Sequence, residues 1–166
     1  DSFAESIAPP EHWDLVHVIA VVSKHHKATG SQDGHRSAFT SDLQAARVAG
    51  AERRLTTCKR ALLERDFATF ASVVEEDSNL MHAIMMTSHP PLFYWQPATL
   101  DVMQRVRQWR ADGLQVCYTL DAGPNVHCIC DAASAGTVQA ELTGLPGVLD
   151  VRAASAGGPA HIVSVH

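Results

Sequence analysis

No apolar run in this chain approaches the roughly twenty residues that cross a bilayer, and its start carries no signal-peptide pattern. Both absences point to a cytoplasmic protein without a membrane span. Basic residues are also short: 13 Lys and Arg stand against 18 Asp and Glu, for a net charge of −5. A dedicated nucleic-acid surface would be basic, so that class is excluded, and an anionic ligand would need a local basic pocket. Cysteine is sparse. Cys58, Cys117, Cys128 and Cys130 lack zinc spacing, which predicts reduced, buried thiols and no metal site. Internal repeats and low-complexity tracts are missing as well. There is no initiator Met before Asp1, so the chain reads as a piece of something longer. What it does hold is apolar residue, 46% of 166 positions, enough to bury one core and form one domain.

Residues 1–12, with the pair Pro9-Pro10, read as an extended lead-in from an earlier domain, and residues 13–166 as the domain itself. Residues 13–23 form a β-branched run that predicts a central strand. Residues 24–41 read as a loop that sets Lys24, His25, His26 and Lys27 beside Thr29, Ser31, Gly30 and Gly34. Glycines admit close backbone approach, hydroxyls donate and lysines neutralise, so the loop suits an anion. It suits a solvated surface equally well. His25 and His26 are adjacent and diverge if extended, which argues against a two-histidine metal site.

Ser41 and Gln44 predict a capping box that opens a helix to about Val48. A second helix spans residues 51–65, with Leu55, Cys58 and Leu62 on one side. Asp66 caps a long helix whose Phe67, Phe70, Ala71, Val74, Met81, Ile84 and Met85 form one buried stripe, the methionines as core filler. Pro90 and Pro91 break it. Pro97 opens a further helix to about Asp112, with Leu100, Met103 and Val106 inward, and Gly113 stops it. Asp131 caps a short helix over 132–142. Residues 148–153 and 160–165 read as closing strands, and the loop 156–159 as a connecting turn or a phosphate contact. This order predicts an α+β domain: a largely antiparallel sheet with helices packed on one face.

One stretch stands apart. Residues 114–120 and 126–130 read as neighbouring strands joined by a tight Ala122-Gly123-Pro124 turn. Leu114, Val116, Tyr118 and Leu120 share one face, and Gln115, Cys117, Thr119 and Asp121 the other. Asp121 then ends its strand on the more polar side. Gly123 supplies backbone freedom and Pro124 stiffness. A carboxylate on so rigid a corner suits acid–base work; hydrogen-bonding the turn is the plain alternative.

The run Tyr118-Thr119-Leu120-Asp121-Ala122-Gly123-Pro124-Asn125 resembles the Tyr-Thr-x-Asp-Ala-Gly-Pro-Asn signature of the diphosphomevalonate decarboxylases, members of the GHMP kinase superfamily. In that family the Asp is the catalytic base. The loop resembles the family's Lys-rich segment followed by Ser-Ser-x-x-Gly-Met and a Thr-Ser pair. Ser31 falls on the second serine, a contact of the substrate's phosphate chain, and Gly34 and Thr40-Ser41 also match. Gly30, His35 and a spacer one residue shorter depart from the pattern at the substrate's phosphate end. Asp77-Ser78-Asn79-Leu80-Met81-His82-Ala83 is similar to the family's Asp-Ser-Asn-x-x-His-Ala, and Pro90-Pro91-Leu92-Phe93-Tyr94 to its Pro-Pro-x-x-Tyr. His82 fits a structural role on its helix or a chemical one, and no step is assigned to it.

The resemblance runs from about Trp13 to the end, and covers about the second half of a complete family member. It implies a GHMP-kinase-like C-terminal domain, with Asp121 as base, Ser31 toward the substrate's phosphates, and Lys24 and Lys27 as electrostatic helpers or plain solvated lysines. It implies ATP and Mg²⁺ as cofactors, bound mainly by an N-terminal half. No Gly-rich run here precedes a Ser-bearing helix start of the kind that holds nucleotide phosphates, so this piece alone should be inactive. The implied reaction turns (R)-5-diphosphomevalonate into isopentenyl diphosphate, releasing phosphate and CO2, in isoprenoid biosynthesis. Rival readings are a phosphomevalonate decarboxylase, a mevalonate kinase without decarboxylation, and a non-catalytic ligand-binding or dimerisation module. Partners under the main reading are the small-molecule substrates, the N-terminal domain and, compatibly, a second copy.

Overall fold

The computed structural model describes residues 5–24 and 31–158. The β-branched run forms strand β1 (Leu15–Val21), with Trp13 and Ser23 outside it. The loop expected over 24–41 is instead largely helical: α1 (Ser31–Ser37) leads into a 3-10 turn (Ala38–Thr40). The reason is tertiary. At Gly34 an added Cβ would stand 2.9 Å from the Tyr94 hydroxyl and 3.4 Å from Met85 Sδ, so the missing side chain lets this segment seat on its neighbours.

α2 (Gln44–Ala49) is not opened by a Ser41–Gln44 capping box. Ser41 Oγ hydrogen-bonds Thr87 Oγ1 and accepts the Leu43 N–H at 3.3 Å, and the helix starts at Gln44. α3 (Ala51–Glu64) and α4 (Phe67–Thr87) follow, and Asp66 caps α4 by accepting the Thr69 N–H at 3.1 Å. The buried side of α3 is carried by Arg54 and Ala61, while Leu55 is 51% exposed. α5 (Pro97–Ala111) buries Val102, Met103, Val106 and Trp109 but leaves Leu100 outside. Then come β2 (Val116–Thr119), β3 (Val126–Asp131), α6 (Ala132–Gly144) and β4 (Asp150–Ser155). The closing strand expected over 160–165 lies outside the described residues.

The sheet order is β2-β3-β1-β4, antiparallel throughout. Tyr118 pairs with Cys128, Cys128 with Val18 and Val18 with Ala153, so these residues share one face. That face is the main core: Val18, Ala20, Val116, Tyr118 and Cys128 meet Val102, Val106, Val138 and Leu142 of α5 and α6. The α+β antiparallel class stands. One feature extends it: α3 and α4 reach the opposite face at the β2 edge, where Ala61, Phe67, Phe70 and Ala71 close over Cys117. Cys117, Cys128 and Cys130 are buried free thiols as expected, and Cys58 is partly exposed. Among the described residues, no helix is long and apolar enough to cross a membrane.

Candidate active site

The corner that ends β2 is tied down from several directions. Helix α4 holds the strand that leads into it. Glu75 Oε1 accepts the Tyr118 N–H at 3.3 Å, Ser78 Oγ accepts the Leu120 N–H at 2.9 Å, and Asn79 Nδ2 donates to the Tyr118 hydroxyl at 3.1 Å. Glu75 itself is held by the Arg110 guanidinium in two bonds of 2.6 and 2.8 Å. Helix α5 holds the turn: Thr99 Oγ1 donates to the Pro124 carbonyl at 2.7 Å. Strand β1 is held by the corner in turn, because Asn125 Oδ1 accepts the N–H groups of Val22 and Ser23 at 3.0 and 3.1 Å. Ala122 packs on the cluster of Ala38, Ile84, Met85 and Tyr94. The residues around Asp121 are thus bound to the fold, whereas Asp121 is exposed. Among the described residues, no donor occupies its carboxylate. This geometry disfavours the plain role of a turn-stabilising Asp.

Gly123 differs from its expected role. Its backbone is not in the left-handed region; among the described residues the glycines that are, Gly113 and Gly147, lie in other turns. What Gly123 provides is room, since a Cβ there would stand 3.0 Å from Asp121 Oδ1. Its N–H donates to the Asp121 carbonyl at 2.7 Å, which closes the bend.

Below the corner lies His82, 2% exposed. Its ring meets Trp95 at 5.2 Å between centroids and stands edge-on to Tyr94 at 6.0 Å. Burial pushes its pKa down to about 4, against the opposing pull of the Asp121 charge and of the Asp121 and Leu120 backbone. The ring is therefore neutral near pH 7.

Of the four candidate site residues, the side chains of Asp121 and Lys24 lie within the described residues. The Asn125 clamp draws Val22 and Ser23, and with them the start of the loop, to the corner. Lys24 is exposed, and its charge helps hold the Asp150 carboxyl below its ordinary range, after the larger effect of Arg152. Ser31 begins α1, and its side chain, like all of Lys27, lies outside the described residues. α1 and the corner share one patch, since Gly34 rests on Tyr94 and Met85 and Ala122 packs on the same pair. Sequence reasoning passed over Glu75 and Thr99 and named Ser78 and Asn125 as motif positions without giving them a role. Thr99, at the third position of a helix opened by Pro97, carries a local signal as a residue that can cap.

ATP and Mg²⁺ do not fit the described residues. None of the described glycines forms a phosphate cradle at a helix start, and no group of three or more His, Cys, Asp or Glu could hold a metal among the described residues. No step is routed through either on this chain.

An antiparallel four-stranded sheet with packed helices matches the C-terminal domain fold of the GHMP kinases. Residues 17–147 match the family model for the mevalonate 5-diphosphate decarboxylase C-terminal domain, and the chain belongs to that family. A diphosphomevalonate decarboxylase of Candida albicans is 40% identical over 137 residues, 81% of this chain and 38% of the relative. The human diphosphomevalonate decarboxylase is 37% identical over 75% of this chain and 32% of its own length. The chain thus spans about a third of the curated relatives it matches. A solved structure of MDDEF in complex with MVAPP, AMPPCP and magnesium superposes with a TM-score of 0.82 at 26% identity, over 91% of this chain and 47% of that one.

Proposed function

We propose that this chain is the C-terminal part of an ATP-dependent decarboxylase that converts (R)-5-diphosphomevalonate to isopentenyl diphosphate, with release of phosphate and CO2. The observation that carries the reading is the Asp121 carboxylate, exposed on a bend whose Leu120, Pro124 and Asn125 are tied to α4, α5 and the end of β1. The names of the relatives favour the diphosphate as substrate, and the nucleotide analogue and magnesium beside MVAPP in MDDEF favour ATP and Mg²⁺ as cofactors.

The substrate's 3-hydroxyl is tertiary and a poor nucleophile. Asp121 accepts its proton, a contribution of about 10²–10⁴-fold when the base is well placed. Rigidity matters here, because a carboxylate that does not have to be ordered at the moment of reaction spends no entropy on alignment. Ser31 donates to the diphosphate, and Lys24, next to the Ser23 that Asn125 holds, neutralises it together with Lys27. ATP with Mg²⁺ supplies the phosphoryl group and is bound by an N-terminal domain of the same protein, which works in the cytoplasm.

The test is Asp121→Asn in the full-length protein, assayed for turnover and CO2 release on the mono- and diphosphate of mevalonate. Expected is loss of turnover with an unchanged circular dichroism spectrum, and wild-type preference for the diphosphate. Near-wild-type turnover of the variant overturns the base role. A wild-type preference for the monophosphate overturns the substrate, and product formation without CO2 overturns the decarboxylation.

A further inference from the structure

Between α2, α3 and α4, and reaching Thr119 of β2, lies a cleft of about 490 Å³. Small-molecule sites span roughly 300–1,000 Å³, with mostly apolar walls and a few convergent polar groups. The walls here are apolar: Val48 on α2, Ala51 and Leu55 on α3, Val73 and Val74 on α4. Val48 and Leu55 are 60% and 51% exposed, so the described fold leaves much of their surface uncovered. Scattered apolar residues on a surface need no explanation, but apolar residues gathered in one cleft do.

The charged lining of the cleft is cationic. Arg54, with a side chain only 5% exposed, donates from Nε to Asp77 Oδ1 at 2.7 Å and from Nη2 to the Arg47 carbonyl at 2.8 Å. Arg47 finds less. Its Nη2 reaches Asp77 Oδ2 only at 3.4 Å, well beyond the roughly 2.7–2.9 Å of a good charge-assisted bond. Its Nε is buried without a hydrogen-bond partner among the described residues. Two guanidiniums thus share one carboxylate, and all three groups line the cleft. That leaves one positive charge uncompensated and one buried donor unpaired, beside an apolar surface. A buried donor in this condition is costly, and an anion answers both deficits.

We propose that this cleft binds a small amphiphilic monoanion, with a carboxylate-type head on the Arg47 guanidinium and an apolar body along Val48, Leu55 and the valines of α4. A polyphosphate does not suit it, because a single uncompensated cation among apolar walls cannot balance several negative charges. Thr119 sets the occupant against β2, the strand that leads into Asp121. The site stands whether or not Asp121 is the base.

Cys58 lines the same cleft and is the one cysteine that is not buried, so its labelling reports occupancy. The full-length protein is treated with N-ethylmaleimide in the presence of decanoate, below its micellar concentration, and the label is located by mass spectrometry. Decylammonium, with the same chain and the opposite charge, is the reference. Decanoate is expected to protect Cys58 at a concentration about tenfold lower than decylammonium, the margin of one hydrogen bond to a charged group. In Arg47→Met that margin falls to within about twofold or reverses. In Leu55→Asp, a change at a half-exposed position that keeps the test open if Arg47→Met does not fold, decanoate no longer protects. Absence of protection in the wild type overturns the proposal, as does decylammonium acting at the same concentration, an Arg47→Met variant that keeps the margin, or protection that survives Leu55→Asp. A Cys58 that reacts only on unfolding overturns it as well, because another domain or a second copy then covers the cleft.

Discussion

The hydroxyl of Ser78 accepts the backbone N–H of Leu120 at 2.9 Å in a fully enclosed setting. One turn of α4 therefore supports the residue directly before the acidic corner. Ser78→Ala strands that N–H away from water, which costs about 1–3 kcal/mol. Urea unfolding should show this loss, and kcat should fall with it because Leu120 leads into Asp121. A variant as stable as wild type sinks the claim.

Arg110 and Glu75 link α5 and α4 to β2. Glu75 is 8% exposed and accepts two bonds from the guanidinium, which also donates to the Val116 carbonyl at 2.8 Å. Glu75 is the first cause of the raised Arg110 pKa. Arg110→Met leaves a buried carboxylate uncompensated, at a cost of about 3 kcal/mol. Glu75→Gln should cost less, since the amide oxygen still accepts from Arg110. Chemical denaturation of both variants settles the order, and Glu75→Gln proving the worse would contradict it.

Gly123→Ala is predicted to act on chemistry more than on stability. The new methyl would press on Asp121 Oδ1 from 3.0 Å, and the backbone there needs no left-handed conformation. The carboxylate must shift, so kcat should drop about tenfold or more, while the unfolding midpoint moves little. Unaltered kcat counts against the proposed alignment.

Acid should weaken the fold through His82 and His17. His82 has a folded pKa of about 4 against an ordinary 6.5, and His17 is also lowered, by burial first and then by His127, with which it is stacked and hydrogen-bonded at 2.9 Å. The unfolded chain then binds more protons than the folded one between about pH 6.5 and 4. Stability is intact above the ordinary value and falls as pH drops through that window. Melting curves over this range should show the decline, and His82→Phe should flatten it. An equal decline in that variant removes His82 as its source.

Thiol reactivity gives an independent check of the core. Burial pushes Cys117 up to about 12 and Cys130 to about 11, raises Cys128 further, and also raises Cys58. Cys58 alone of the four is not buried. A native thiol titration should therefore label Cys58 first and the other three only on unfolding. Early labelling of Cys117 would mean that α3 and α4 do not close over β2.

Element order is legible in the residues because each boundary has its own local chemistry: Asp66 and Asp131 as N-caps, Pro97 at a first turn, Gly113 with φ of +104°. Facing is less legible. Leu55 points outward while Arg54 is buried, because Arg54 meets Asp77 at 2.7 Å and the Arg47 carbonyl at 2.8 Å. Such a partner 23 residues away leaves no mark on apolar periodicity. The same holds for α1, whose seat depends on Tyr94 and Met85. At the site, Asp121 stands out from its motif, but the residues that aim it come from α4, α5 and β1, and their roles exist only once those elements meet.

The Asn125 clamp joins amides 102 and 103 positions away in sequence. Contacts of that span close late in folding, after the loop entropy between them has been spent. A nascent chain can thus complete α4 and α5 while its acidic bend is still unanchored to the first strand. The corner is then secured at the end of the folding sequence, and a polypeptide cut after Ser23 would lose the segment that the Asn125 side chain holds.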